Sequence, residues 1–119
     1  MRRRTGRAVQ RGDLYRLRKP AGDTKRSRVM LVVSRNVFVE SPFSTVICAP
    51  VYSADRALET EVLVGVDEGL KHSSVVTCDA LLSVQKRQLT GYVGSLGPVR
   101  LVELDRALRV ALALEEDSP

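Results

Sequence analysis

Arg28 stands at the mouth of an apolar run, Val29-Met30-Leu31-Val32-Val33-Ser34, where a permanent cation can meet a phosphate. Its guanidinium is a rigid fork of N–H donors that matches two phosphate oxygens at once. The competing reading is a strand-end arginine paired with a surface carboxylate, and position alone favours that reading. Arginine does not deprotonate in proteins, so it cannot serve as the base of a proton transfer. Asp79, Tyr52 and His72 are the nominees for that part. His72 is the one histidine of the chain, which excludes a two-histidine acid–base pair and a histidine-rich metal site. A lone loop histidine is either solvated or, because imidazole changes charge near neutral pH, a proton carrier. Asp55, Glu59, Glu61, Asp67 and Glu68 follow no metal-ligand rhythm, so no metal is expected, and no cofactor.

Charge is distributed unevenly around these groups. Residues 1–28 carry 11 of the 19 Lys+Arg against two acids, Asp13 and Asp23, a local charge of +9. The remainder carries 8 basic and 12 acidic residues, a charge of −4. A cationic front end favours a polyanionic partner, because each phosphate neutralised releases a condensed counterion. A solvated basic arm is the plain alternative. Aromatic residues make up only 4% of the chain. Base stacking, the usual device of single-strand binders, is therefore limited to Tyr15, Phe38, Phe43, Tyr52 and Tyr92.

The elements that must hold these residues are short. At 119 residues the chain is one domain, expected to bury about 65–70% of its unfolded surface. Residues 1–10 are basic and aperiodic and predict a disordered arm; residues 115–119 form a frayed acidic tail; 11–114 is the domain. Strands are predicted from Asp13 to Arg18, Val29 to Val33, Thr45 to Ala49, Glu61 to Val66 and Val75 to Leu82, with a short one at Tyr92-Val93. The continuous run Val29–Val33 implies a strand covered on both faces. Pro50 cannot donate to a ladder and should mark a strand edge or bulge. Residues 36–42 read as irregular or a short helical turn, and Lys86 to Leu89 as one helical turn. Several short strands separated by turn signals suggest a small barrel. Gly97-Pro98 then opens a helix whose Leu101, Leu104, Leu108, Ala111 and Leu112 share one face. Asp105 and Arg109 are spaced to pair along its exposed side.

No segment approaches the roughly 20 apolar residues needed to cross a membrane. Met1-Arg2-Arg3-Arg4 imitates the start of a signal peptide, but Thr5-Gly6-Arg7 replaces its apolar stretch. Cys48 and Cys78 lie in apolar runs without metal-ligand spacing, which predicts buried reduced thiols and a cytoplasmic location.

The order Arg11-Gly12-Asp13-Leu14-Tyr15, then Arg28 and its aliphatic run, resembles the start of the MazF/PemK family of toxin endoribonucleases. That family begins Arg-Gly-Asp/Glu-aliphatic-Tyr/Trp and continues Arg-Pro-aliphatic-aliphatic-Val-aliphatic-Ser. The likeness extends from about Arg11 to Leu114. It implies a mainly β (α+β) fold, a small, partly open SH3-like β-barrel with a C-terminal helix. It also implies a homodimer whose groove binds single-stranded RNA, and a cognate antitoxin whose acidic tail blocks that groove. Cleavage would be metal-independent, by attack of the 2′-hydroxyl, leaving a cyclic phosphate and a 5′-hydroxyl. Arg28 matches the catalytic arginine, with Val29 in place of the usual Pro. The second catalytic position, a Thr in Val-Pro-aliphatic-Thr-Ser, falls on Tyr52 of Ala49-Pro50-Val51-Tyr52-Ser53, so Tyr52 or Ser53 would hold the phosphate. Arg11, Lys25 and Arg26 are the basic candidates for RNA contact. A third stretch, Asp-Ser-aliphatic-x-x-x-Glu-Gln-aliphatic-Arg, is similar to residues 73–82. Asp79 keeps its acidic character there, while Ala80 and Leu82 replace the Gln and Arg. These changes imply an altered sequence preference, or a member that binds RNA or antitoxin without cutting. A CcdB-like gyrase poison is the other alternative; that group ends in Trp-Gly-Ile, and this chain has no Trp.

Overall fold

All four residues of the strand Val29–Val32 are buried, as a continuous apolar run requires. The strand lies inside an antiparallel seven-stranded sheet that does not close, backed by a C-terminal helix. The computed structural model describes residues 8–18 and 28–114. The strands are β1 (Asp13–Leu17), β2 (Val29–Val32), β3 (Thr45–Ser53), β4 (Glu61–Val64), β5 (Ser74–Thr77), β6 (Leu82–Gln85) and β7 (Leu89–Ser95), with helices α1 (Asn36–Val39) and α2 (Pro98–Leu112). Their order is β4-β5-β3-β2-β1-β7, and β6 also lies along β3. This is the partly open barrel with a terminal helix that the sequence implies. The loop carrying Lys25 and Arg26, most of the basic arm and the acidic tail lie outside the described residues. Val9, placed in the arm by sequence, packs beside the core cluster that contains Tyr15.

Strand alternation sends side chains to two cores. Leu14, Leu31 and Ala49 stand in one row across β1, β2 and β3 and pack with Leu104 and Ala107 of α2. Tyr15, Met30, Val32 and Cys48 point the other way, onto Val39 of α1, Val84 of β6 and Leu89 of β7. Each fully buried aliphatic side chain contributes about 1.5–3 kcal/mol, which offsets the scarcity of aromatic volume. Along α2, Leu101, Leu108 and Ala111 join Leu104 on the packed side, whereas Leu112 is half exposed. Asp105 accepts a hydrogen bond from Arg11 Nη2 at 2.9 Å. The Arg11 Nε–H reaches the Val33 carbonyl at 3.0 Å, so Arg11 ties α2 to the end of β2. Gly12, at φ 92°, allows the close approach of Leu101 that this docking needs.

The strand expected from Val75 to Leu82 is instead two strands separated by a 3-10 turn at Cys78–Ala80. Both strands lie along β3, with Val51 opposite Val76 and Cys48 opposite Leu82. Between those two pairs β3 advances three residues and its partner six, so three residues are looped out of the ladder. The apolar Cys78 faces the core from this turn, and its N–H bonds the Thr60 carbonyl at 3.0 Å. Opposite the looped-out segment, β3 has no ladder partner at Ala49 and Pro50 on that side. A residue without an N–H is tolerated there, so Pro50 sits inside a nine-residue strand rather than ending it. Strand β7 is likewise longer than the predicted Tyr92-Val93, and β4 shorter than predicted because Val66–Glu68 forms a 3-10 turn. That turn presses against β7: a Cβ on Gly94 would overlap the Glu68 carbonyl oxygen, and one on Gly69 the Val93 carbonyl oxygen.

Candidate functional site

The hairpin register of β1 and β2 sets the first part of the site. Arg16 pairs with Val29, and the Leu17 N–H bonds the Arg28 carbonyl at 3.0 Å. Two guanidinium groups are thereby delivered to the same end of the sheet. The pairing of β3 with β5 supplies the rest: Tyr52 lies opposite Val75 and Ser53 opposite Ser74. Buried Ser74 donates its hydroxyl to the His72 carbonyl at 3.0 Å, which holds the Lys71–Ser73 loop at the strand end. Between these elements opens a cleft of about 300 Å³. Its polar walls are Arg16, Arg28, Tyr52, Ser53, Lys71 and His72, and its floor is Val29, Val51 and Leu70, with Ser74.

Arg28 and Tyr52 are in direct contact. The guanidinium carbon lies 4.5 Å from the centroid of the Tyr52 ring. Such a stack is worth about 0.5–1 kcal/mol at an exposed site, and it leaves the N–H edges of the guanidinium available for a ligand. Three cations and three hydroxyls meet in the cleft, and none of its described lining residues is a carboxylate. This is a donor set for an anion such as phosphate and a poor one for a metal ion.

The structure thus brings Arg28, Tyr52 and Ser53 together. Arg11 is placed elsewhere, its guanidinium held by Val33 and Asp105. Asp79 sits exposed on the looped-out 3-10 turn and does not line the cleft. Arg16 and Lys71, not singled out by sequence, do line it; both arrive by strand register and loop placement, which leave no local sequence signal. The thiols take no part. Burial pushes Cys48 up to about 12. Cys78 is pushed to about 11, by burial first and then by Asp79 and Glu61. Both are free thiols inside the core.

A model of the PemK-like, MazF-like toxins of type II toxin–antitoxin systems matches residues 10–112. The chain belongs to this family. Among solved structures, an endoribonuclease in complex with its cognate antitoxin from a mycobacterial species superposes with a TM-score of 0.76 at 25% identity, over 92% of this chain and 100% of that one. The Mycobacterium tuberculosis toxin MazF-mt6 gives 0.73 at 27% identity, over 87% and 98%. An Mtb toxin gives 0.64 at 32% identity, over 71% of this chain and 91% of that one. No curated protein matches the chain. As a MazF/PemK toxin of a toxin–antitoxin system, it carries, among the departures noted from its sequence, Val29 after the arginine and Tyr52 for the threonine. Both line the cleft. MazF-like toxins are endoribonucleases, so a cleft built for a phosphate is the feature the family would require.

Proposed function

We propose that this toxin is a metal-independent, sequence-specific endoribonuclease of single-stranded mRNA, and that the Arg28 cleft is its active site. The ribose 2′-oxygen attacks the adjacent phosphorus, an O2′–P bond forms and the P–O5′ bond breaks, leaving a cyclic phosphate and a 5′-hydroxyl. Charge accumulates on the phosphoryl oxygens along the way, and Arg28 meets it with its N–H edges. Removing one such donor costs about 10²–10³ in rate. Ser53 stands beside the ring that occupies the family threonine position and supplies the shorter hydroxyl; Tyr52 orients the arginine. Lys25 and Arg26 are assigned to flanking phosphates and Asp79 to a base outside the cleft, while Arg11 is given a docking role instead. The single observation that carries this reading is the convergence of Arg28, Tyr52 and Ser53 in one cationic cleft with no carboxylate among its described lining residues.

The working form is a homodimer with an RNA groove between protomers, which the cognate antitoxin covers with an acidic tail. The mycobacterial endoribonuclease solved with its own antitoxin supports that partner class. The test is cleavage of a long single-stranded RNA in EDTA, wild type beside Arg28→Ala, with end-group analysis. Discrete cuts with cyclic-phosphate ends, lost in the variant, are expected. Intact RNA with wild-type protein would instead favour a relative that binds without cutting, the reading for which the ring of Tyr52 across Arg28 is the specific observation. Inhibition of gyrase supercoiling without RNA cleavage would point to a CcdB-like poison.

A further inference from the structure

The ribonuclease reading leaves the proton of the 2′-hydroxyl without a destination, and the following inference rests on that reading. Every described group that lines the cleft can be weighed for the task. Arg16 from β1 and Arg28 from the start of β2 do not deprotonate in a protein. Lys71 is exposed, and its ammonium is a donor with no lone pair to accept a proton. Tyr52, Ser53 and Ser74 are hydroxyls, and the Ser74 hydroxyl is committed to the His72 carbonyl. No described lining residue is a carboxylate. Asp79, an acid otherwise suited to accept a proton, lies outside the lining. The remaining group among the described lining residues is His72, the one histidine of the chain.

We propose that His72 is the general base of RNA cleavage. Its backbone is fixed by the buried Ser74 hydroxyl, while its side chain is exposed at the cleft wall. The neutral imidazole takes the proton from the 2′-hydroxyl as O2′ bonds to phosphorus; the departing 5′-oxygen takes a proton from water. Arg16, Arg28 and Lys71 surround the reacting phosphate with positive charge and bind the anion that the neutral base cannot. One histidine and a set of cations thus divide between them what a two-histidine site does with a matched pair. Ser74 is the positioning residue of this arrangement, since it touches the loop and not the substrate.

Single-turnover cleavage of a defined oligoribonucleotide between pH 5 and 9 tests the assignment, with wild type, His72→Ala, His72→Gln and Arg28→Ala. Both His72 variants are expected to lose about 10²–10⁴-fold in rate and the rise in rate on the acidic side of the profile. Their affinity for the same oligomer carrying a 2′-deoxy residue at the cut should stay within a few-fold of wild type, and added imidazole should restore part of the His72→Ala rate. A second substrate with sulfur in place of the 5′-bridging oxygen needs no proton on its leaving group. The loss in His72→Ala should persist on it. If that loss vanishes, His72 is the acid rather than the base and the proposal is wrong. Variants that cut at the wild-type rate with an unchanged profile overturn it outright, with the ribonuclease reading intact. Wild type that cuts neither substrate overturns the ribonuclease reading and this proposal together.

Discussion

The Arg28 guanidinium lies over the ring of Tyr52, 4.5 Å from carbon to centroid. This contact joins the start of β2 to the end of β3 across the mouth of the cleft. It also fills, with an aromatic face, the place where the family pattern has a small hydroxyl. The ring and the hydroxyl of Tyr52 therefore have separable effects. Tyr52→Phe keeps the stack and is expected to cut RNA within about threefold of wild type. Tyr52→Ala removes about 0.5–1 kcal/mol of arginine positioning and should slow cleavage two- to fivefold. Equal losses in both variants would show that the hydroxyl is the working part.

Arg28→Lys keeps the charge and gives up the planar fork. A compact ammonium cannot bind two phosphoryl oxygens in the same geometry. The expected loss is at least about 10²-fold in single-turnover rate, close to that of Arg28→Ala, with RNA affinity less affected. Recovery of most of the rate by lysine would mean that charge alone suffices.

Arg11 serves the fold through its two bonds to Val33 and Asp105. Arg11→Ala should lower stability by about 1–2 kcal/mol in urea unfolding. The dependence of RNA affinity on salt concentration should remain as in wild type, because no phosphate contact is removed. A flatter salt dependence would place Arg11 on the RNA.

Gly94→Ala puts a methyl group onto the Glu68 carbonyl, where β7 meets the turn before Gly69. Both neighbours are backbone, so the turn has to move. A cost of about 1–3 kcal/mol is expected, read as a lower urea midpoint. An unchanged midpoint would show that the turn is soft.

The core thiols tie stability to alkaline pH. Their ordinary value is 9.0, and the fold raises Cys48 to about 12 and Cys78 to about 11. A raised value in the folded state means that the unfolded chain loses its thiol protons first. Their contribution is thus whole below pH 9 and declines from there to about 11–12. Urea midpoints of wild type should fall more steeply between pH 9 and 10.5 than those of Cys48→Ala. Parallel curves would show that other groups cause the decline.

The residues that declare themselves in the sequence are those whose role is local. The run Val29–Val33 announces a strand buried on both faces, and Gly97-Pro98 announces the helix. Arg28 is marked by its position before the run. What the sequence conceals is decided by register. Val75 to Leu82 looks continuous because the three looped-out residues include an apolar Cys78 that the core accepts as readily as a strand residue. Pro50 reads as a strand edge or a bulge because nothing local tells that β3 lacks a partner on that side at that point. Arg16 and Lys71 reach the cleft only through pairings with distant segments. The pairing of Asp105 with Arg11, 94 residues away, is invisible for the same reason, and its nearer neighbour Arg109 is the partner that spacing suggests.

The pairing of β1 with β7 sets Asp13 opposite Ser95, and that has a consequence in time. Contacts between such distant parts of a chain form late and make folding slow, in the range of milliseconds to seconds for β-rich domains. Ribosomes add about 5–20 residues per second. Arg16, Tyr52 and His72 are all synthesised seconds before the strand that completes the sheet around β1. During that interval the chain holds every described residue of the cleft but not the strand that flanks β1. Synthesis thus delivers the residues of the site before the strand that completes the sheet beside them.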